Sequence, residues 1–112
     1  MDLSENQPVD ARKHRRYQVY FKSELSATQA PEGSGLIMDL SSGGCKVTSM
    51  LSVPPGTHMT LRIALQEKNE ELELKGVSRW TRGMQFGVEF IEMPQEVRDQ
   101  LVQVLTQLEK TP

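Results

Sequence analysis

The 112-residue chain has one cysteine, two histidines, one tryptophan and no long apolar run. A lone Cys45 can neither close an internal disulfide nor build a cysteine-rich zinc site, and its simplest role is a small hydrophobe in a strand of a protein kept in a reducing compartment. No stretch approaches the roughly 20 apolar residues of a membrane span, and the opening MDLSENQPVDARKHRR lacks the apolar centre of a secretion signal. We therefore expect a cytoplasmic protein with no membrane insertion. The only imidazoles, His14 and His58, lie in a basic run and after a turn, with no nucleophile motif beside either, and Ser41 lacks the Gly-x-Ser-x-Gly elbow, so catalysis is not expected. No histidine or carboxylate spacing matches a metal site, and no cofactor is implied. There is no aromatic run of the kind on which a nucleic-acid-binding barrel stacks bases, which argues against DNA or RNA as a partner.

What the chain does have is enough length for one domain with one modest core, and too little for two. Its charge is unevenly placed. Between Ala11 and Ser23 stand 5 basic residues (Arg12, Lys13, Arg15, Arg16 and Lys22) and no acidic one; taking these from the 13 Lys and Arg leaves 8 against 15 Asp and Glu. A basic arm on an acidic body suits a compact anionic ligand, whereas the backbone of a long nucleic acid would be repelled by most of the remaining surface.

Residues 1–11 are polar and aperiodic and are expected to form a flexible tail, with the domain occupying residues 12–110. Tyr17, Val19, Phe21, Leu25 and Ala27 alternate with polar residues and predict a half-buried strand; Thr28–Gly35, with Pro31, Gly33 and Gly35, reads as a loop. Leu36–Leu40 and the Cys45, Val47, Leu51 alternation predict two strands around Ser41-Ser42-Gly43-Gly44. Val53-Pro54-Pro55-Gly56 is a turn, followed by a strand carrying Met59, Leu61, Ile63 and Leu65. After a polar tip at Gln66–Glu71, Leu72, Leu74 and Trp80 share one side of a strand that Gly76 is expected to bulge or bend; Thr81-Arg82-Gly83 turns the chain into a strand carrying Phe86, Val88 and Phe90.

Six short strands with tight turns predict a mainly β fold, a small six-stranded antiparallel β-barrel, because closure removes exposed edges. From about residue 94 the period changes. Val97, Leu101, Val104, Leu105 and Leu108 mark a C-terminal amphipathic helix, opened by Pro94 and Glu96, whose apolar stripe is most simply packed on the barrel.

Two segments carry recognition chemistry. Arg12-Lys13-His14-Arg15-Arg16 sets two guanidinium forks, Arg12 and Arg16, close enough to meet one compact anion; each can grip a phosphate, read guanine O6 and N7, or stack on a purine. Asp39-Leu40-Ser41-Ser42-Gly43-Gly44 ends a strand in a tight turn. There an ionised Asp39 can accept from guanine N1 and N2, while Ser41 and the backbone N–H groups of Gly43 and Gly44 suit oxygens. Taken singly, the first is equally a solvated basic arm, and the second is more simply a turn in which Asp39 and Ser41 bond their own backbone.

Taken together, Arg12-x-x-x-Arg16, a strand, and then Asp39-x-Ser41-x-x-Gly44 resemble the two-part signature of PilZ domains. Leu40–Cys45, Val53–Thr57, Val77–Trp80 and Phe86–Phe90 extend the likeness over about residues 11–110. The resemblance implies that the ligand is cyclic di-GMP, wrapped by the arginine arm against the outside of the barrel, with Arg12, Arg16, Asp39, Ser41 and Gly44 as its contacts. Lys13 stands where a further arginine is common, and Arg15 is a substitute for it. Trp80 is either a stacking face for a guanine or a lid on the core. An arm with few apolar residues would be ordered by a ligand that bridges it to the Asp39 turn, and the covered face would then be read by a downstream protein partner. The domain would act in motility or biofilm regulation, as a monomer or a weak, ligand-dependent dimer. The alternative is a PilZ-like adaptor that binds only protein, in pilus or flagellar control.

Overall fold

In the first strand, Val19, Ser23 and Leu25 are buried while Gln18, Lys22 and Glu24 are exposed, the period of a sheet with one face on a core. The computed structural model describes residues 15–27, 30–65 and 70–110. It contains β1 (Tyr17–Ala27), β2 (Ala30–Leu40), β3 (Gly44–Ser49), β4 (His58–Leu65), β5 (Glu70–Arg82), β6 (Gln85–Phe90) and a helix, α1 (Gln95–Lys110). The six strands close into a barrel in the order β1-β2-β3-β6-β5-β4, and every neighbouring pair is antiparallel. This is the expected small six-stranded barrel with a C-terminal helix.

The barrel interior is filled by Leu25, Ile37, Leu40, Val47, Leu61, Ile63, Leu72, Leu74 and Phe86, all at most 1% exposed. Burying each such side chain contributes ~1.5–3 kcal/mol before entropy is charged against it. Helix α1 begins after Pro94, whose carbonyl accepts from Arg98 N–H at 2.9 Å. Its Leu101 joins the core, and Val97, Val104, Leu105 and Leu108 pack half-buried against the barrel. The turn between β3 and β4 is held by the buried Ser78 of β5: Thr57 N–H donates to Ser78 Oγ at 2.9 Å, and Ser78 Oγ donates to the Pro54 carbonyl at 2.7 Å. Gly56 adopts φ 88°, as that turn requires.

Two expectations drawn from glycines need correction. The segment read as a loop, Thr28–Gly35, is strand from Ala30 onward, paired as Leu25↔Gly33 and Ser23↔Gly35. Its glycines answer packing, not turning: a Cβ on Gly33 would lie 2.8 Å from Leu51 Cγ, and one on Gly35 would lie 2.9 Å from both Leu25 Cδ1 and Val47 Cγ1. Second, Gly76 is in regular register with Met59 and Phe90, and the irregularity in β5 falls between Ser78 and Trp80. At Gly76 a Cβ would clash with Val88 and would sit 2.8 Å from the Glu89 carbonyl oxygen, so this glycine too is a close-approach residue. Of the expected tip Gln66–Glu71, residues 66–69 lie outside the described residues, and Glu70 and Glu71 belong to β5.

Candidate functional site

Three irregularities in strand register bear on the outer face: between Gln18 and Phe21 on β1, between Ile37 and Asp39 on β2, and between Ser78 and Trp80 on β5. In an unbroken strand Asp39 would share the inward side of Ile37, and Trp80 the inward side of Leu72 and Leu74. One extra residue in each strand reverses the phase beyond it and turns Asp39 and Trp80 outward. A row then crosses four strands on the outer face, pairing Asp39↔Lys46, Lys46↔Gly87 and Gly87↔Trp80.

Trp80 is 41% exposed and lies over Gly87, where an added Cβ would collide with the indole nitrogen. The missing side chain lets the ring lie down on the sheet. The choice that the sequence left open for Trp80 is thereby decided against a lid on the core.

Beside this row the chain turns from β2 into β3. Ser41 is 1% exposed, and its Oγ accepts from Gly43 N–H at 3.2 Å and Gly44 N–H at 3.1 Å while donating to the Gly44 carbonyl at 3.2 Å. Ser41 N–H donates to the same carbonyl at 2.9 Å. The hydroxyl thus folds the turn on itself. Gly44 tolerates no Cβ, which would strike the Val88 carbonyl of β6.

Arg16, just before β1, reaches the far end of β2: its Nη1 donates to Asp39 Oδ1 at 2.9 Å, with the guanidinium side 61% and the carboxylate side 20% exposed. A pair this open contributes only ~0.2–1 kcal/mol to stability, so its consequence is arrangement. Below it, burial pushes the Cys45 thiol far above its ordinary range, with the Asp39 carboxylate adding to the rise and Arg16 opposing it. Cys45 is the inert strand hydrophobe expected of it.

Arg16, Asp39, Ser41, Gly43, Gly44 and Trp80 all line one open cleft of about 740 Å³. Arg15 is directed elsewhere, with Nη1 3.7 Å from Glu109 Oε1 of α1 and its guanidinium 5.5 Å from the centre of the Tyr17 ring. Arg12 and Lys13 lie outside the described residues. The same cleft is lined by Lys46, Arg79, Glu89 and Arg98, which the sequence did not single out. Arg79 Nε donates to Glu89 Oε1 at 2.6 Å. Only the β5 bulge, which no local residue pattern announces, explains why Arg79 and Trp80 face the same way. Among the described residues there is no cluster of His, Cys, Asp and Glu able to hold a metal, and no helix long and apolar enough to cross a membrane.

No curated protein sequence matches the chain significantly. Solved structures do share the fold. The PilZ domain of CeSA from a cellulose-synthesizing bacterium superposes with a TM-score of 0.70 at 18% identity, covering 85% of this chain and 98% of that one. The inhibitor of motility MotI/DgrA of Bacillus subtilis gives 0.73 at 22% identity, covering 100% of this chain and 59% of that one. The PilZ domain of Escherichia coli YcgR with c-di-GMP gives 0.70 at 13% identity, covering 88% and 92%. The sequence profile of the PilZ domain matches residues 10–107. With that match spanning nearly the whole barrel and helix, the chain belongs to the PilZ domain family.

Proposed function

We propose that the chain is a receptor for cyclic di-GMP, bound in the cleft between the Arg16 leader, the Asp39 turn and Trp80. The observation that carries this reading is the Arg16–Asp39 contact at 2.9 Å, which joins two motif halves 23 residues apart at one cleft. An arginine fork and a carboxylate side by side match a guanine, whose O6 and N7 accept while N1 and N2 donate. Trp80 supplies a flat apolar face for the base, and a YcgR domain of the same fold is known with this ligand.

Arg12 and Lys13 add positive charge for the two phosphates, with Lys13 acting as a point charge. Ser41, Gly43 and Gly44 serve by shaping the turn that presents Asp39. Drawing the arm onto the cleft changes the surface that a partner protein meets, and this difference between states is the signal.

Exposed Tyr20 and Met50, 72% and 86% accessible, favour a second reading in which the barrel is purely a protein adaptor. Titration calorimetry with cyclic di-GMP separates the two. Heat of binding in the wild type and a loss of affinity of about thirty-fold or more in Arg16→Ala are expected for the receptor, since truncating one partner of a charge-assisted contact commonly costs ~2–5 kcal/mol. Wild-type affinity in Arg16→Ala would remove the proposed site, and no binding at all would leave the adaptor.

A further inference from the structure

Cyclic di-GMP has two guanines, and among the described residues the cleft has two arginine–carboxylate pairs. Arg16–Asp39 is one; Arg79–Glu89, across the glycine turn, is the other, and both line the same 740 Å³ space. We propose that Arg79 and Glu89 read the second guanine and make the cleft selective for a dinucleotide with guanine in both positions. This rests on the cleft being a cyclic dinucleotide site.

The geometry comes from the bulge. A regular strand sends consecutive side chains to opposite faces, but the register shift between Ser78 and Trp80 leaves Arg79 and Trp80 exposed together. A flat ring and a guanidinium are thereby delivered next to one another. Glu89 stands opposite Gly44, where an added Cβ would strike the Val88 carbonyl, so β3 and β6 approach closely beside the pair. The pair is 56% exposed on each side and uses only Arg79 Nε and Glu89 Oε1. Among the described residues neither side chain makes another hydrogen bond, which leaves the terminal nitrogens of Arg79 and the second oxygen of Glu89 for a ligand in the cleft that both residues line.

Guanine O6 neighbours N1 on the ring. An arginine donating to O6 and N7 therefore sits beside a carboxylate accepting from N1 and N2, the adjacency Arg79 and Glu89 already hold. Adenine reverses it, offering an acceptor at N1 and a donor at N6, which leaves the carboxylate facing a lone pair and the guanidinium facing an amine.

The test measures affinities of the full chain for cyclic di-GMP, for the mixed cyclic GMP–AMP dinucleotide, and for cyclic di-AMP, following fluorescence of Trp80, the chain's one tryptophan. The wild type is expected to prefer cyclic di-GMP over the mixed ligand by about ten-fold or more, the discrimination of one good base contact. Glu89→Gln, whose amide can both donate and accept, is expected to narrow that ratio towards one, as is Arg79→Ala. Both sites are solvent-exposed, so the fold should survive, which a thermal melt confirms. A wild type that binds both guanine-containing ligands equally, or variants that keep the wild-type ratio, would overturn the assignment while the receptor reading stood. Absence of cyclic di-GMP binding in the wild type would overturn both.

Discussion

Cys45 shows how one side chain reports on the floor of the cleft. It is 2% exposed, and its thiol is pushed far above the ordinary value, first by burial and then by the Asp39 carboxylate. Below the ordinary thiol value, near 9.0, folded and unfolded chains both keep the proton and pH has no effect through this group. Above it the unfolded chain ionises and the folded one does not, so stability is lost as pH rises, by at most about 1.4 kcal/mol per unit. Comparing urea unfolding of wild type and Cys45→Ala between pH 8 and 10.5 isolates this contribution from other titrating groups. The gap between the two proteins should shift steadily against the wild type above pH 9; a constant gap would mean that the thiol is reached by water. A thiol reagent should likewise find no reactive group until denaturant is added.

The turn from β2 to β3 works as a unit, and it divides what could be read in advance from what could not. Alternation disclosed β1, β4 and β6, and a change of period disclosed α1, because each has one face on the core. The Asp39 to Gly44 pattern is equally readable, and it leaves two readings of Ser41 open, a ligand contact or a self-bonded turn; in the structure the hydroxyl binds Gly43 and Gly44 of its own turn. Ser41→Ala should therefore act on the fold before the ligand. Leaving the buried Gly44 N–H without an acceptor costs ~1–3 kcal/mol, visible as a lower denaturant midpoint at unchanged slope. An unchanged midpoint would argue that the hydroxyl is free for another partner. Glycines in β2 misled for the opposite reason: Gly33 and Gly35 resemble loop residues, but the space they vacate is filled by Leu51, Leu25 and Val47 from distant parts of the chain. The glycine at 76 draws the expected bulge away from its true place between Ser78 and Trp80, where no residue type marks it, and so Arg79 and Glu89 are not legible in the sequence as Arg16 and Asp39 are.

The barrel as a whole bears on where the ligand's binding energy goes. Of the net charge of −2, the arm contributes positive charge and the remaining body is acidic, so a basic arm alone could attract a dianion without engaging the fold. The cleft offers a different arrangement, for its residues come from the β1 leader, the β2–β3 turn, β3, β5, β6 and α1 at once. A ligand held there meets only the closed barrel and is lost on unfolding, and at 100 times its dissociation constant it stabilises by ~2.7 kcal/mol. For a domain of this length that corresponds to a rise in melting temperature of about 10 °C. Differential scanning of the wild type with cyclic di-GMP at that concentration should show such a rise, and Arg16→Ala, whose exposed side chain adds little to stability, should melt near the wild type without ligand and, with affinity lowered about thirty-fold or more, gain no more than about a third of that rise. Binding detected by calorimetry with no accompanying rise would place the ligand on the arm alone and remove the barrel from its recognition.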